Sequence, residues 1–178
     1  MFKEYLLSAK NNNIPVTIYS NSENTQVSSF GLVQGVSDDW VLLASFSLFG
    51  FYAGFIIIKH EDVFRCESKN KYSERLLKLY QLRKQKHPIV DLTSGNLLRD
   101  LIQYAQKNQL VVTIELRDSG NPDLIGFIGD IKDDLITIDQ IDFDGNADGD
   151  SVISFEDITR VDCDTEAQMS LKLLTDNR

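Results

Sequence analysis

The sequence lacks most of the features that would narrow its chemistry. It has no long hydrophobic run: the longest, around Leu48 to Ile58, falls well short of the roughly 18 residues a membrane span needs, so no membrane partner is expected. The opening MFKEYLLSAKNNN sets a glutamate in its would-be apolar stretch and offers no small-residue cleavage site, so no secretory signal is read and a cytoplasmic protein is the expectation. There are only two cysteines, Cys66 and Cys163, without a metal-binding spacing, and structural thiols are expected in preference to a disulfide or a nucleophile. There are only two histidines, His60 and His87. His60 lies near Cys66 in sequence, but spacing alone does not make a catalytic pair. No catalytic residue, no cofactor and no enzymatic activity are expected.

What is present is an ordinary globular composition, 42% apolar and 25% charged, in a chain long enough for one sizeable domain or two small ones. The net charge of -9 is unevenly spread. Residues 1–88 hold 11 Lys/Arg against 8 Asp/Glu, a net of +3, whereas residues 89–178 hold 7 against 19, a net of -12. An acidic surface repels phosphate backbones, so any nucleic acid would have to use the first half; RNA is retained there as an alternative partner and DNA is not expected.

The halves repeat one another. FKEYLLSAKNNNIPVTI at Phe2 to Ile18 lies over LLRDLIQYAQKNQLVVTI at Leu97 to Ile114, with Tyr5/Leu101, Leu6/Ile102, Ala9/Ala105, Asn12/Asn108 and Val16/Val112 all 96 apart. After a one-residue length change in the first loop the offset becomes 95 and holds. It sets FGLVQGVSDDWVLL over IGFIGDIKDDLITI, Gly54 over Gly149, and HEDVFR over FEDITR. Each copy opens with apolar residues at helical spacing and then changes to short β-branched and aromatic runs, which predicts a helix followed by about five strands. KYSERLLKLYQLRKQKH predicts a further helix with Tyr72, Leu76, Leu79 and Leu82 on one face, and EAQMSLKLL is its shorter counterpart. Pro88 to Asn96 reads as the connection, with Ser94 or Asn96 available to cap the next helix.

A helix, then a strand reading Gly-x-apolar, then Asp in a turn, then an apolar strand resembles the first signature of the Sm-like proteins, once per copy. The resemblance implies a mainly β fold with helices (α+β): two tandem Sm-like or SH3-like small barrels, at 1–87 and 97–178, with a linker at 88–96. The family reads uridine-rich single strands through an asparagine after the turn aspartate and an arginine and glycine between strands four and five. Here Leu42, Leu43, Thr137 and Ile138 follow the turns, Lys59 and Ser154 stand at the arginine position, and His60 and Phe155 replace the glycine. The resemblance thus implies the barrel without the usual pocket.

Four features carry functional expectations. SLFGFYAGF, with Phe49, Phe51, Tyr52 and Phe55, predicts either an exposed aromatic patch for a partner or self-association, or a segment folded over a core. Asp144, Asn146 and Asp148 match the first half of a calcium loop, but Phe155 stands where its last ligand belongs, and an Asp/Gly-rich hairpin explains them better. Glu61-Asp62 and Glu156-Asp157 recur at equivalent corners and read as a duplicated turn. Lys69, Lys71, Arg75, Lys78, Arg83, Lys84 and Lys86 cluster around the helix after the fifth strand and are expected to form its solvated face, with the acidic half as an internal partner. The leading expectation is a binding or scaffold module that contacts protein through the aromatic loop. The alternative is an RNA-binding protein using Lys59, Arg83 and Lys84.

Overall fold

A computed structural model describes residues 2–21, 28–117 and 122–177. The first half contains α1 (Phe2–Asn11), β1 (Val16–Tyr19), β2 (Ser29–Val36), β3 (Trp40–Phe46), β4 (Tyr52–Lys59), β5 (Arg65–Ser68) and α2 (Lys71–Leu82). The second contains α3 (Leu97–Lys107), β6 (Val111–Leu116), β7 (Pro122–Lys132), β8 (Leu135–Ile141), β9 (Ala147–Ser154), β10 (Ile158–Cys163) and α4 (Glu166–Asp176). The one-residue length change in the first loop falls at 22–27 and 118–121, outside the described residues. None of the described helices is long and apolar enough to cross a membrane.

The fold is mixed α+β, and the ten strands of the described residues form one antiparallel sheet in the order β5-β1-β2-β3-β4-β10-β6-β7-β8-β9. The two halves are therefore strung along a single sheet, each contributing five neighbouring strands in the same relative order. What joins them is β4 against β10, with Phe55 opposite Cys163, Ile57 opposite Val161 and Ile58 opposite Arg160.

Glycine allows a close approach of neighbouring strands within each half. A Cβ on Gly31 would lie 2.3 Å from the Ala44 carbonyl oxygen, and one on Gly126 would lie 2.1 Å from that of Asp139. Close by, the ladder slips at Val33/Gly35 and at Ile128/Ile131, and such bulges bend and twist a strand pair.

The helices take their phase from their caps. The Asn96 side chain accepts from the Arg99 amide (3.0 Å) and starts α3, so of the two candidate caps Asn96 does the capping. Asn70 does the same for α2 through the Ser73 amide (2.8 Å). That cap turns Ser73, Leu76 and Tyr80 inward, where the Tyr80 ring stacks on Phe46 at 4.9 Å. The expected α2 face is corrected accordingly: Leu76 is buried, but Tyr72 and Leu82 point outward because they lie off the Ser73–Leu76–Tyr80 stripe.

The largest core crosses the boundary between the halves. Trp40, Leu42, Ala44, Phe55 and Ile57 from β3 and β4 share one apolar cluster with Leu98, Leu101 and Ile102 of α3 and with Val161 and Cys163 of β10. A second cluster, beneath α1, is confined to the first half. The connection packs down as well, with Val90 and Leu92 against the shared cluster. His87 is fixed on three sides: its Nε2–H is shared between the carbonyl oxygens of Ser45 (2.8 Å) and Gly54 (3.1 Å), and its Nδ1 accepts from the Tyr80 hydroxyl (2.7 Å).

Candidate functional site

The loop from β3 to β4 is a compact turn. Ser47 accepts the Gly50 amide on its carbonyl (2.9 Å) and the Phe49 and Phe51 amides on its hydroxyl. Gly50 has φ +73°, and a Cβ there would meet the Leu79 Cβ and the Tyr80 amide nitrogen at 2.6 Å, so the turn is seated against α2 at a point only glycine fits. Seated this way, the turn holds Leu48, Phe49 and Phe51 outward; Phe49 is 68% exposed. Leu82, at the end of α2, is exposed too.

Arg83 fastens the patch. Its Nε donates to the Phe49 carbonyl (2.9 Å), and its guanidinium lies 4.2 Å from the centre of the Phe51 ring. Lys84 follows with φ +53°, where the chain leaves the helix. The basic cluster forms no ion pair with the acidic half among the described residues, contrary to expectation. Among the described residues no ion pair involves Lys69, Lys71, Lys78, Lys84 or Lys86, and Arg75 instead approaches the Tyr72 ring. The two halves meet through β4 and β10, and that seam involves none of these residues.

The four aromatics of the loop segment divide two and two. Phe49 and Phe51 form the patch, whereas Phe55 is buried in the shared core, because β4 has begun and alternate residues already face α3. Tyr52 turns toward the seam, and its hydroxyl donates to Asp164 (2.5 Å), with burial pushing its pKa up. Of the two placements the sequence leaves open for this segment, exposure thus holds for Phe49 and Phe51, and packing inward for Tyr52 and Phe55.

Lys59 is largely covered, and its ammonium is paired with Glu61 at 2.8 Å. It borders an open hollow of about 420 Å³ together with Trp40, Arg117, Asp134, Phe155 and Glu156. This lining mixes both signs of charge, and Arg117 is itself tied to the Glu156 carbonyl (3.0 Å). Lys59 is thus some distance in role from a free phosphate contact, while Arg83 and Lys84 lie on the α2 side with the patch. Glu61-Asp62 and Glu156-Asp157 occupy matching 3₁₀ turns, His60–Asp62 and Phe155–Asp157.

In the acidic loop the organising residue is Asp142. Its carboxylate accepts from the amides of Asp144 (3.0 Å) and Asn146 (2.7 Å) and from the Asn146 side chain. Asn146 is therefore spent inside the hairpin, Asp148 already lies within β9, and among the described residues no group of three or more His, Cys, Asp or Glu side chains is arranged to hold a metal.

Both thiols are free. Cys163 is fully buried and Cys66 is partly so, with burial pushing the Cys66 thiol up to about 11, far from a nucleophile's range. Sequence reasoning missed Arg160, whose guanidinium is almost covered at the seam and bonded to Asp162 (2.7 Å) with Glu115 at 3.7 Å. Its alternation with an acid in a strand-like run, Arg160-Val161-Asp162, was the available signal. Compared with protein-family models, curated proteins and solved structures, the chain matches none.

Proposed function

We propose that the chain is a non-enzymatic binding module made of two Sm-like units, 1–87 and 97–178 joined by 88–96, and that it captures an acidic protein segment with apolar anchors on the surface formed by loop 47–51 and the end of α2. The shared strand order of the halves and their matching glycine crossings support the reading of two units. The observation that carries the function is the set of outward Leu48, Phe49, Phe51 and Leu82 on a backbone locked by Gly50 and Arg83. A pre-set apolar surface loses little entropy when a partner docks, and aromatic and arginine side chains are the usual anchors of such contacts. Lys84 and Lys86, which follow Arg83 and form no ion pair among the described residues, favour a partner of negative charge.

The same lysines are what an RNA reading has in its favour, through Arg83 and Lys84; the Lys59–Glu61 pair weighs against it. The test is capture from the native cytoplasm with and without nuclease, using wild type, the double variant Phe49→Ser/Phe51→Ser, and the double variant Arg83→Glu/Lys84→Glu. A nuclease-resistant protein lost in the serine variant is the expected outcome. Nuclease-sensitive, salt-dependent RNA that is lost only in the glutamate variant would replace this reading with the RNA one.

A further inference from the structure

Asp100, Gln103, Tyr104 and Lys107 recur three and four residues apart and so lie on one face of α3. The connection from Pro88 to Ser94 runs beside that face, and between the two is a hollow of about 540 Å³. Asp100 borders it and is only 6% exposed, and its Oδ2 has no hydrogen-bond partner among the described residues. We infer that this hollow binds a small organic cation, an ammonium or guanidinium group that pairs with Asp100. The site shares no residue with the surface formed by loop 47–51 and the end of α2, and the inference stands whether or not that surface binds a partner.

An acid in the first turn of a helix is favoured by the unpaired amides there, but that benefit does not require burial. Glu4, 96 positions earlier, takes the same place in α1 and is exposed. What α3 has in addition is the connection packed beside it: Val90 and Leu92, on either side of Asp91, rest against the shared core, and His87 pins the start of the segment to the sheet. A carboxylate oxygen shut away from water costs free energy until a donor reaches it. The polar groups nearby are engaged elsewhere. The Asn96 side-chain oxygen accepts from the Arg99 amide (3.0 Å), and the Ser94 hydroxyl donates to the Asn96 carbonyl (3.4 Å).

The lining decides which kind of cation fits. Asp91, exposed at the rim, is the one other acid among the described lining residues, which is too few for a metal. The volume is that of a small-molecule site and far exceeds what a bare ion fills. Pro88, Ile89 and the Tyr104 ring give it apolar walls; Tyr104 is held edge-on against Phe55, with ring centres 5.7 Å apart, and Ile89 is 93% exposed. A buried carboxylate beside apolar walls suits a cation that carries a hydrocarbon body.

Lys107 lies about two turns beyond Asp100 at the other end of the stripe and has no ion pair among the described residues. Its charge suits a ligand whose far end is anionic, so a basic amino acid is favoured over the amine that lacks its carboxylate. Entry needs the wall to give. Gly95 ends the connection with φ +83° and nothing within 4 Å of a Cβ, so Thr93 and Ser94, both exposed, have room to swing aside.

The test is an amide chemical-shift titration of the full chain at constant ionic strength. Its probes are arginine, agmatine, which is arginine without the carboxylate, and butylurea, which has a similar head without charge. Arginine should shift the amides of α3 and of residues 91–96 saturably, with a Kd at or below about 10 mM, and butylurea should not. Asp100→Asn, which keeps the shape of the side chain, should weaken arginine about tenfold or more, while Glu4→Gln leaves it unchanged. Lys107→Ala should weaken arginine and spare agmatine. Ser94→Trp, at an exposed wall position, should fill the hollow and abolish binding in a folded protein. Absence of saturable shifts with both arginine and agmatine would overturn the inference. So would arginine binding that survives in a folded Asp100→Asn or Ser94→Trp protein, equal binding of butylurea, or a response to potassium or calcium chloride alone.

Discussion

His87 shows how one side chain can tie a connection to a sheet. Its ring donates to two strand carbonyls and accepts from Tyr80, an arrangement that requires the neutral Nε2–H tautomer. Burial holds its pKa below the ordinary histidine range. A histidine lowered in this way binds a proton more readily in the unfolded chain, so its contribution is complete above the unfolded pKa of about 6.5 and declines as pH falls from there toward the lowered folded value. His60 is lowered too, chiefly by burial, and acts with the same sign. We expect the melting temperature to drop between pH 7 and pH 5, and a His87→Gln variant to show a shallower drop. Nothing in the sequence marked this residue beyond its rarity, because its partners lie in strands 33 and 42 residues away.

At the scale of elements, most of the fold was legible. The switch from helical to alternating apolar spacing located α1, α3 and the strands within a few residues, and the Asn/Gln-rich helix ends reflect a real need: Asn13 and Gln109 both follow the helices with φ near +50°. The α2 face was misread because its apolar residues support more than one stripe, and the Asn70 cap decided between them. The glycines of β2 and β7 were read as part of a signature, and their physical purpose is to leave room for a neighbouring carbonyl oxygen that any Cβ would meet at 2.3 Å or less. Gly31→Ala or Gly126→Ala should cost about 2–3 kcal/mol in denaturant unfolding, at the strained end of single substitutions. Gly95→Ala is the contrasting control for space, since nothing lies within 4 Å of it, although its φ of +83° carries its own smaller cost of about 1 kcal/mol.

For the whole molecule, the sequence led to an expectation of two units and left open how the two halves join. Joining depends on a long-range pairing of β4 with β10 whose two partners look like unremarkable apolar strands when read one at a time. The seam merges their cores, so the halves should unfold together. Trp40, the only tryptophan, sits in the first half within the shared cluster, and Leu101 sits in the second. Leu101→Ala should lower stability by about 2–5 kcal/mol, and it should shift the Trp40 fluorescence transition and the far-ultraviolet circular dichroism transition by the same amount. Separate transitions would mean that the seam does not couple the halves. The aromatic patch was half legible for a related reason: composition showed that the loop was apolar, but only the strand boundary at Tyr52 determined which rings face solvent.

Cys163 lies on β10 at the seam, fully buried and opposite Phe55. A thiol reagent can reach its sulfur only when the seam parts. The rate at which that sulfur is labelled is therefore a clock for the opening of the joint, wound into the sequence and read without altering a single residue.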